Sequence, residues 1–121
     1  MLGSTILVIE EDPLVRQVMN SVLRSAGFSV QLASGSEEAR QVFDEHQTEL
    51  ALMVVDITSG GLEFVNSIPT LHPRVPVLFT TTHTEPDLAA VVQQGFPWLS
   101  KPFTSHGLID SMRRFFPAKH A

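Results

Sequence analysis

Three consecutive carboxylates, Glu10, Glu11 and Asp12, stand directly behind the apolar run "TILVI", and a fourth, Asp56, stands behind "LALMVV". Two further apolar runs lead to Thr81 and Thr82 and to Lys101. Acids, hydroxyls and one ammonium at the ends of buried segments can bind a hard cation and a phosphoryl group. Two like charges about 4 Å apart repel by roughly 4 kcal/mol at an effective dielectric of 20. If the first and third runs are neighbours, one lysine therefore cannot neutralise their carboxylates. Mg2+ can, because it takes oxygen ligands, keeps several waters and is commonly held by one or two carboxylates plus phosphate oxygens. Lys101 and the Thr81 hydroxyl would add charge and hydrogen bonds. Asp56 is then the expected nucleophile, forming an aspartyl phosphate.

These groups need elements that carry them to one place. Thr5 to Ile9 reads as a strand covered on both faces. Asp12 and Pro13 read as the N-cap and first position of a helix, with Leu14, Val15, Val18, Met19, Val22, Leu23 and Ala26 at helical spacing and Gly27 to end it. "FSVQLA" alternates as an edge strand does, and Ser36 is expected to cap a helix running to about Glu45 with Ala39, Val42 and Phe43 inward. The cycle repeats with a strand Leu50 to Val55, a helix after Gly61 using Leu62, Val65 and Ile68, and the strand "VPVLFTT". A fourth helix follows Glu85 and Pro86, burying Leu88, Val91 and Val92 and stopping at Gly95. The short strand "WLS" precedes Lys101 and Pro102, and the last helix carries Leu108, Ile109, Met112, Phe115 and Phe116. Only the tail after Pro117 reads as loose.

Five strand and helix alternations predict an α/β fold, a doubly wound five-stranded parallel sheet with right-handed crossovers. In such folds functional groups gather at the carboxyl ends of the strands, near the reversal of strand order. Glu10, Glu11, Asp56, Thr81, Thr82 and Lys101 are all delivered to that rim. Plainer readings exist for each: the acids suit a helix entrance, the threonines a strand end, Trp98 a cover for the sheet, and "SGG" a tight turn.

Composition narrows the class. A chain of 121 residues, 43% hydrophobic, fits one domain spanning residues 1–121. A net charge of −5, with Arg113–Arg114 the only adjacent basic pair, argues against direct nucleic-acid binding. Without cysteine there is no disulfide and no thiolate chemistry, which suits the cytoplasm. No apolar run is long enough for a membrane span, and the five histidines are scattered without metal-pair spacing.

The segments "ILVIEEDPLVRQVM", "LMVVDI", "PVLFTTT" and "LSKPF" occur in the order and near the spacing of a known family. The sequence resembles the CheY-like receiver domain of bacterial two-component response regulators, over almost its whole length. That resemblance implies a flavodoxin-like (βα)5 fold in which Asp56 accepts a phosphoryl group from a histidine kinase or phosphotransfer protein, with Mg2+ as cofactor. It further implies that Glu11 binds the ion directly, Glu10 supports it largely through water, and the Thr58 backbone carbonyl is a further ligand. Thr81 would swing toward the phosphoryl oxygens, Lys101 would pair with them, and the Lys101–Pro102 bond would be cis. Trp98 matches the aromatic switch position, and the output face would comprise Leu88 to Gln94, Trp98 and Asp110 to Phe116.

The chain also departs from the family pattern. Its acidic pair is Glu-Glu rather than the usual Asp-Asp or Glu-Asp, "ITSG" after Asp56 is about three residues short, and Thr82 replaces a smaller residue. The expectation is a phosphorylation switch rather than an enzyme, at most dephosphorylating itself slowly. It would act through a downstream protein partner or be a receiver from a larger regulator or hybrid kinase, with no membrane contact. Two rivals remain. One is a degenerate receiver serving as a phosphorylation-independent interaction module. The other is a phosphohydrolase like the haloacid dehalogenases, which place a second Asp where this chain has Thr58.

Overall fold

Five runs of β-branched and long aliphatic residues pair as one parallel sheet in the computed structural model, which describes residues 5–68, 75–82 and 84–116. The strands are β1 (Thr5–Ile9), β2 (Ser29–Ala33), β3 (Leu50–Asp56), β4 (Val77–Thr81) and β5 (Trp98–Ser100), in the order β2-β1-β3-β4-β5. The order reverses between β1 and β3, so the crevice beyond their carboxyl ends is where such a sheet holds its functional groups. The helices are α1 (Pro13–Ser25), α2 (Ser36–His46), α3 (Gly61–Asn66), α4 (Leu88–Gln93) and α5 (Ser105–Met112).

Alternation along the strands divides the core into two layers. Ile6 and Val8 of β1, Leu52 and Val54 of β3 and Leu78 of β4 pack with Met19 and Leu23 of α1 and Leu108 and Met112 of α5. Leu7, Ile9, Met53, Val55 and Phe79 face the other way, against Ala39 and Phe43 of α2, Leu62, Phe64 and Val65 of α3, and Val91 of α4. Burying each such aliphatic or aromatic side chain contributes about 1.5–3 kcal/mol, which is why a chain of this length holds together without a disulfide.

Asp12 caps α1 as expected, its Oδ1 accepting from the Leu14 and Val15 backbone amides at 2.9 and 3.4 Å, with Pro13 in the first turn. Ser36 does not cap α2. It is the first helical residue, and Gly35 holds the N-cap position without a side-chain bond. Glu38 substitutes by reaching back: its Oε1 accepts from the Ser34 amide at 2.7 Å and the Ser34 hydroxyl at 2.9 Å. Those bonds, the backbone one foremost, lower the Glu38 pKa below its ordinary value.

Other differences follow from packing that periodicity cannot weigh. Leu14 and Val18, at helical spacing with buried neighbours, are 74% and 52% exposed because the inward arc of α1 is narrow and takes Met19 and Leu23. Val92 is 53% exposed, since a six-residue α4 buries only Val91. α5 ends at Met112, and Arg113–Phe115 form a 3-10 turn that lets Phe116 meet Phe28 at a centroid distance of 4.9 Å. β3 runs through Asp56, one residue past the expected end, and β4 begins at Val77 rather than Val75. The tail after Pro117 lies outside the described residues. Among the described residues no helix is long and apolar enough to cross a membrane.

Candidate functional site

Glu10 and Lys101 are fixed by extensions of the sheet. The Glu10 amide donates to the Ala33 carbonyl at 3.0 Å, continuing the β1–β2 ladder, and the Lys101 amide donates to the Thr81 carbonyl at 2.8 Å, continuing β4–β5. Asp56 is itself the last residue of β3. β1 and β3 run in register up to the pair Ile9–Val55, so Glu10 and Asp56 emerge side by side on the face shared with Val8 and Val54.

Both carboxylates are almost fully buried, each at 2% exposure. They share one ammonium: Lys101 Nζ lies 2.8 Å from Glu10 Oε1 and 3.3 Å from Asp56 Oδ1. Glu10 Oε2 accepts from the Asp12 amide at 3.0 Å. Burial is the largest single influence on Lys101 and works against its charge. The Glu10 hydrogen bond and the Asp56 and Glu10 charges together outweigh it, and Lys101 titrates above the ordinary lysine value. Two carboxylates against one ammonium leave the cluster with residual negative charge in a poorly hydrated place.

The turn after Asp56 is short because it folds straight back. Ile57–Ser59 form a 3-10 turn that Asp56 caps, its Oδ1 accepting from the Thr58 amide at 3.3 Å, while the Thr58 hydroxyl donates to Asp56 Oδ2 at 2.7 Å. Gly60 sits at φ 74°, a left-handed conformation that glycine adopts without a Cβ penalty. Gly61 then starts α3 so close to β3 that an added Cβ would collide with the Val55 side chain and the Asp56 carbonyl oxygen. Gly61→Ala is therefore expected to destabilise the fold by about 1–3 kcal/mol, the usual range for overpacking, read as a lower urea midpoint. A midpoint equal to wild type would mean that this close approach can relax freely.

The remaining rim residues are distributed unevenly. Glu11 is exposed at the mouth. Thr81 is fully buried, and its hydroxyl donates to the Thr82 carbonyl at 2.9 Å, on the Phe79 face of β4 rather than the Asp56 face. Thr82 is exposed, its hydroxyl 3.2 Å from that of Thr84. Trp98 is half-buried against the layer formed by α2, α3 and α4. The Lys101–Pro102 bond is cis.

Three contributors escaped the sequence reading. Arg16 Nη1 donates to the backbone carbonyls of Glu10 at 2.8 Å and Glu11 at 3.3 Å, tying α1 to the acidic turn. A lone basic residue one turn into the helix behind an acidic pair was the available signal. The Thr58 hydroxyl touches Asp56 directly, where only its backbone was expected to matter. Thr80, paired with Asp56 across β3 and β4, is 1% exposed, and its Oγ1 is the one buried side-chain polar atom among the described residues without a hydrogen-bond partner. Leaving such a group unpaired costs about 1–3 kcal/mol.

Among the described residues no three carboxylate or imidazole side chains converge as a ready cation cluster. Two adjacent, oxygen-only carboxylates with residual negative charge still match the chemistry of a hard cation that retains several waters.

Comparison with known proteins places the chain as a whole in one family. The family model of the response regulator receiver domain matches residues 6–113. The C4-dicarboxylate transport transcriptional regulatory protein DctD of Pseudomonas aeruginosa is 33% identical over 116 residues, covering 90% of this chain and 24% of that protein. The DNA-binding transcriptional regulator NtrC of Klebsiella pneumoniae is 30% identical over 102 residues, covering 79% of this chain and 21% of its own. The chain thus spans about a quarter of the length of these relatives. In fold it is similar to a response regulator receiver domain protein of Clostridium thermocellum, with a TM-score of 0.82 at 24% identity over 93% of both chains. It is also similar to the chemotaxis protein CheY4 of Vibrio cholerae, with a TM-score of 0.79 at 24% identity over 93% of this chain and 98% of that one. A parallel sheet of order β2-β1-β3-β4-β5, matched over residues 6–113, defines a receiver domain. The chain belongs to the response regulator receiver domain family.

Proposed function

We propose that this chain is a phosphorylation switch in which Asp56 is the acceptor. The observation that carries the reading is the buried Asp56 carboxylate held 3.3 Å from Lys101 Nζ while the same ammonium grips Glu10 at 2.8 Å. An Asp56 oxygen attacks the phosphorus of a phosphohistidine; the P–N bond breaks, its electron pair stays on the imidazole, and an acyl phosphate forms. Water later hydrolyses it to inorganic phosphate at a slow, non-enzymatic pace. Glu10, Glu11, Asp56 and the Thr58 carbonyl would hold Mg2+, which supplies positive charge to the transferring oxygens. Lys101 shifts from the carboxylate pair to the phosphoryl oxygens, keeping its charge at the point where negative charge grows.

The added charge, roughly −1.5 to −2, attracts the Thr81 hydroxyl away from the Thr82 carbonyl. That move leaves space behind β4, where half-buried Trp98 can repack. The readout surface is then α4 and its flank from Leu88 to Gln94, Trp98 of β5, and Asp110 to Phe116, read by a downstream protein partner or by effector or kinase segments of a larger regulator in the cytoplasm. Exposed Val92 supports that face as a contact surface.

The phosphoryl donor, a histidine kinase or phosphotransfer protein, fits the apolar groove lined by Leu14, Val15, Val18 and Phe103, which reaches Lys101 itself. Leu14→Asp is expected to slow transfer at least tenfold from a histidine kinase that labels the wild type, while labelling by acetyl phosphate stays unchanged. Equal losses with both donors would take the groove out of donor binding.

Beryllofluoride with Mg2+ tests the switch as a whole. Amide resonances should move around Asp56 and across α4, β5 and α5. A folded protein with no shifts would instead support a phosphorylation-independent interaction module, the reading that the exposed Glu11 and the short turn after Asp56 favour.

A further inference from the structure

We propose that Thr80 is a second hydroxyl donor of the acceptor site, engaging the oxygens of phosphorylated Asp56 and prolonging that state. The inference rests on the acceptor reading above and assigns it a residue outside the acid pair, Thr81 and Lys101. Asp56 and Thr80 are direct register partners in β3 and β4, and neighbouring strands lie about 4.8 Å apart. Val54 and Leu78, two residues before them, share the α1–α5 core layer, so alternation sends Asp56 and Thr80 to the same face. Thr80 is 1% exposed and its hydroxyl has no partner, while the resting Asp56 oxygens bond to Thr58 and Lys101.

A valine of the same shape would fill the Thr80 slot without leaving a polar atom unpaired. The hydroxyl becomes useful when the neighbouring carboxylate acquires three more oxygens and additional negative charge, since charge-assisted hydrogen bonds are about twice as strong as neutral ones. Thr81 must release the Thr82 carbonyl to reach the same group. Thr80 has no such bond to break, so its gain falls entirely on the phosphorylated form.

The test uses the full chain with Thr80→Val and Thr80→Ser, phosphorylated by acetyl phosphate with Mg2+ and then freed of donor. Intact mass gives the half-life of the phosphorylated form, and urea unfolding gives the stability of the resting form. Thr80→Val should keep or raise the urea midpoint and shorten the half-life about tenfold, with Thr80→Ser close to wild type. A Val variant whose half-life stays within about twofold of wild type overturns the proposal and leaves the acceptor reading standing. A lowered urea midpoint also overturns it, because the hydroxyl would then be serving the resting fold. If wild type and Thr80→Ser both fail to load, the acceptor reading falls and this inference with it.

Discussion

Asp56→Asn is expected to take up no phosphoryl group from acetyl phosphate and Mg2+, where the wild type is expected to gain one, as read by intact mass. The amide keeps the shape of the side chain and can still accept from the Thr58 amide, now 3.3 Å from Oδ1, but it lacks the anionic oxygen proposed to attack phosphorus. Glu10 is then the carboxylate that pairs with Lys101, at 2.8 Å. Removing one of two buried carboxylates that share a single ammonium relieves repulsion, so the resting variant is expected to be at least as stable as wild type. Loss of labelling is then a chemical loss in an intact fold. Labelling that survives in Asp56→Asn would move the acceptor to Glu10 or Glu11. Multiple turnovers of a generic phosphate monoester by the wild type would favour the phosphohydrolase reading, despite Thr58 standing where those enzymes carry their second Asp.

Lys101→Met has the second large effect, on stability. Without divalent cation it leaves Glu10 and Asp56, each 2% exposed, facing one another with no ammonium between them. Breaking a buried ion pair by removing one partner costs about 3–5 kcal/mol, which for a domain of this size lowers the melting temperature by roughly 10 °C or more. The double variant Asp56→Asn with Lys101→Met should recover part of that loss. Recovery within error of zero would mean that the two side chains contribute independently.

The pH dependence of the same contact has a definite sign. Lys101 is raised in the folded state, so its contribution is complete below the unfolded-state lysine pKa and fades as pH rises through the folded one. Wild type and Lys101→Met should therefore converge in stability at the alkaline end. A gap that stays constant through that range would place the cost of the substitution in packing rather than charge.

Much of this site could be read from residue order. The apolar runs ending at Ile9 and ahead of Asp56 identified their strands because burial on both faces demands continuous β-branched and aliphatic residues. Asp12 before Pro13 announced its cap through chemistry confined to one turn. Ser36 misled because its rival, Glu38, reaches back to Ser34 rather than forward. Leu14, Val18 and Val92 misled because spacing says that residues share an arc of helix, whereas the width of the arc that gets covered depends on how much surface the sheet presents.

The sequence by itself determined which elements form, their alternation, and the acids, hydroxyls and lysine that stand at strand ends, since each is encoded within a few residues by periodicity, caps and breakers. Only the tertiary structure decided which of those groups meet. Lys101 reaches Glu10 across 91 positions, Thr81 turns to the Thr82 carbonyl, and Thr80 rather than Thr81 shares the face of Asp56. Strand order and register bring these about, and a shift of one residue in register would send every one of those side chains to the opposite face.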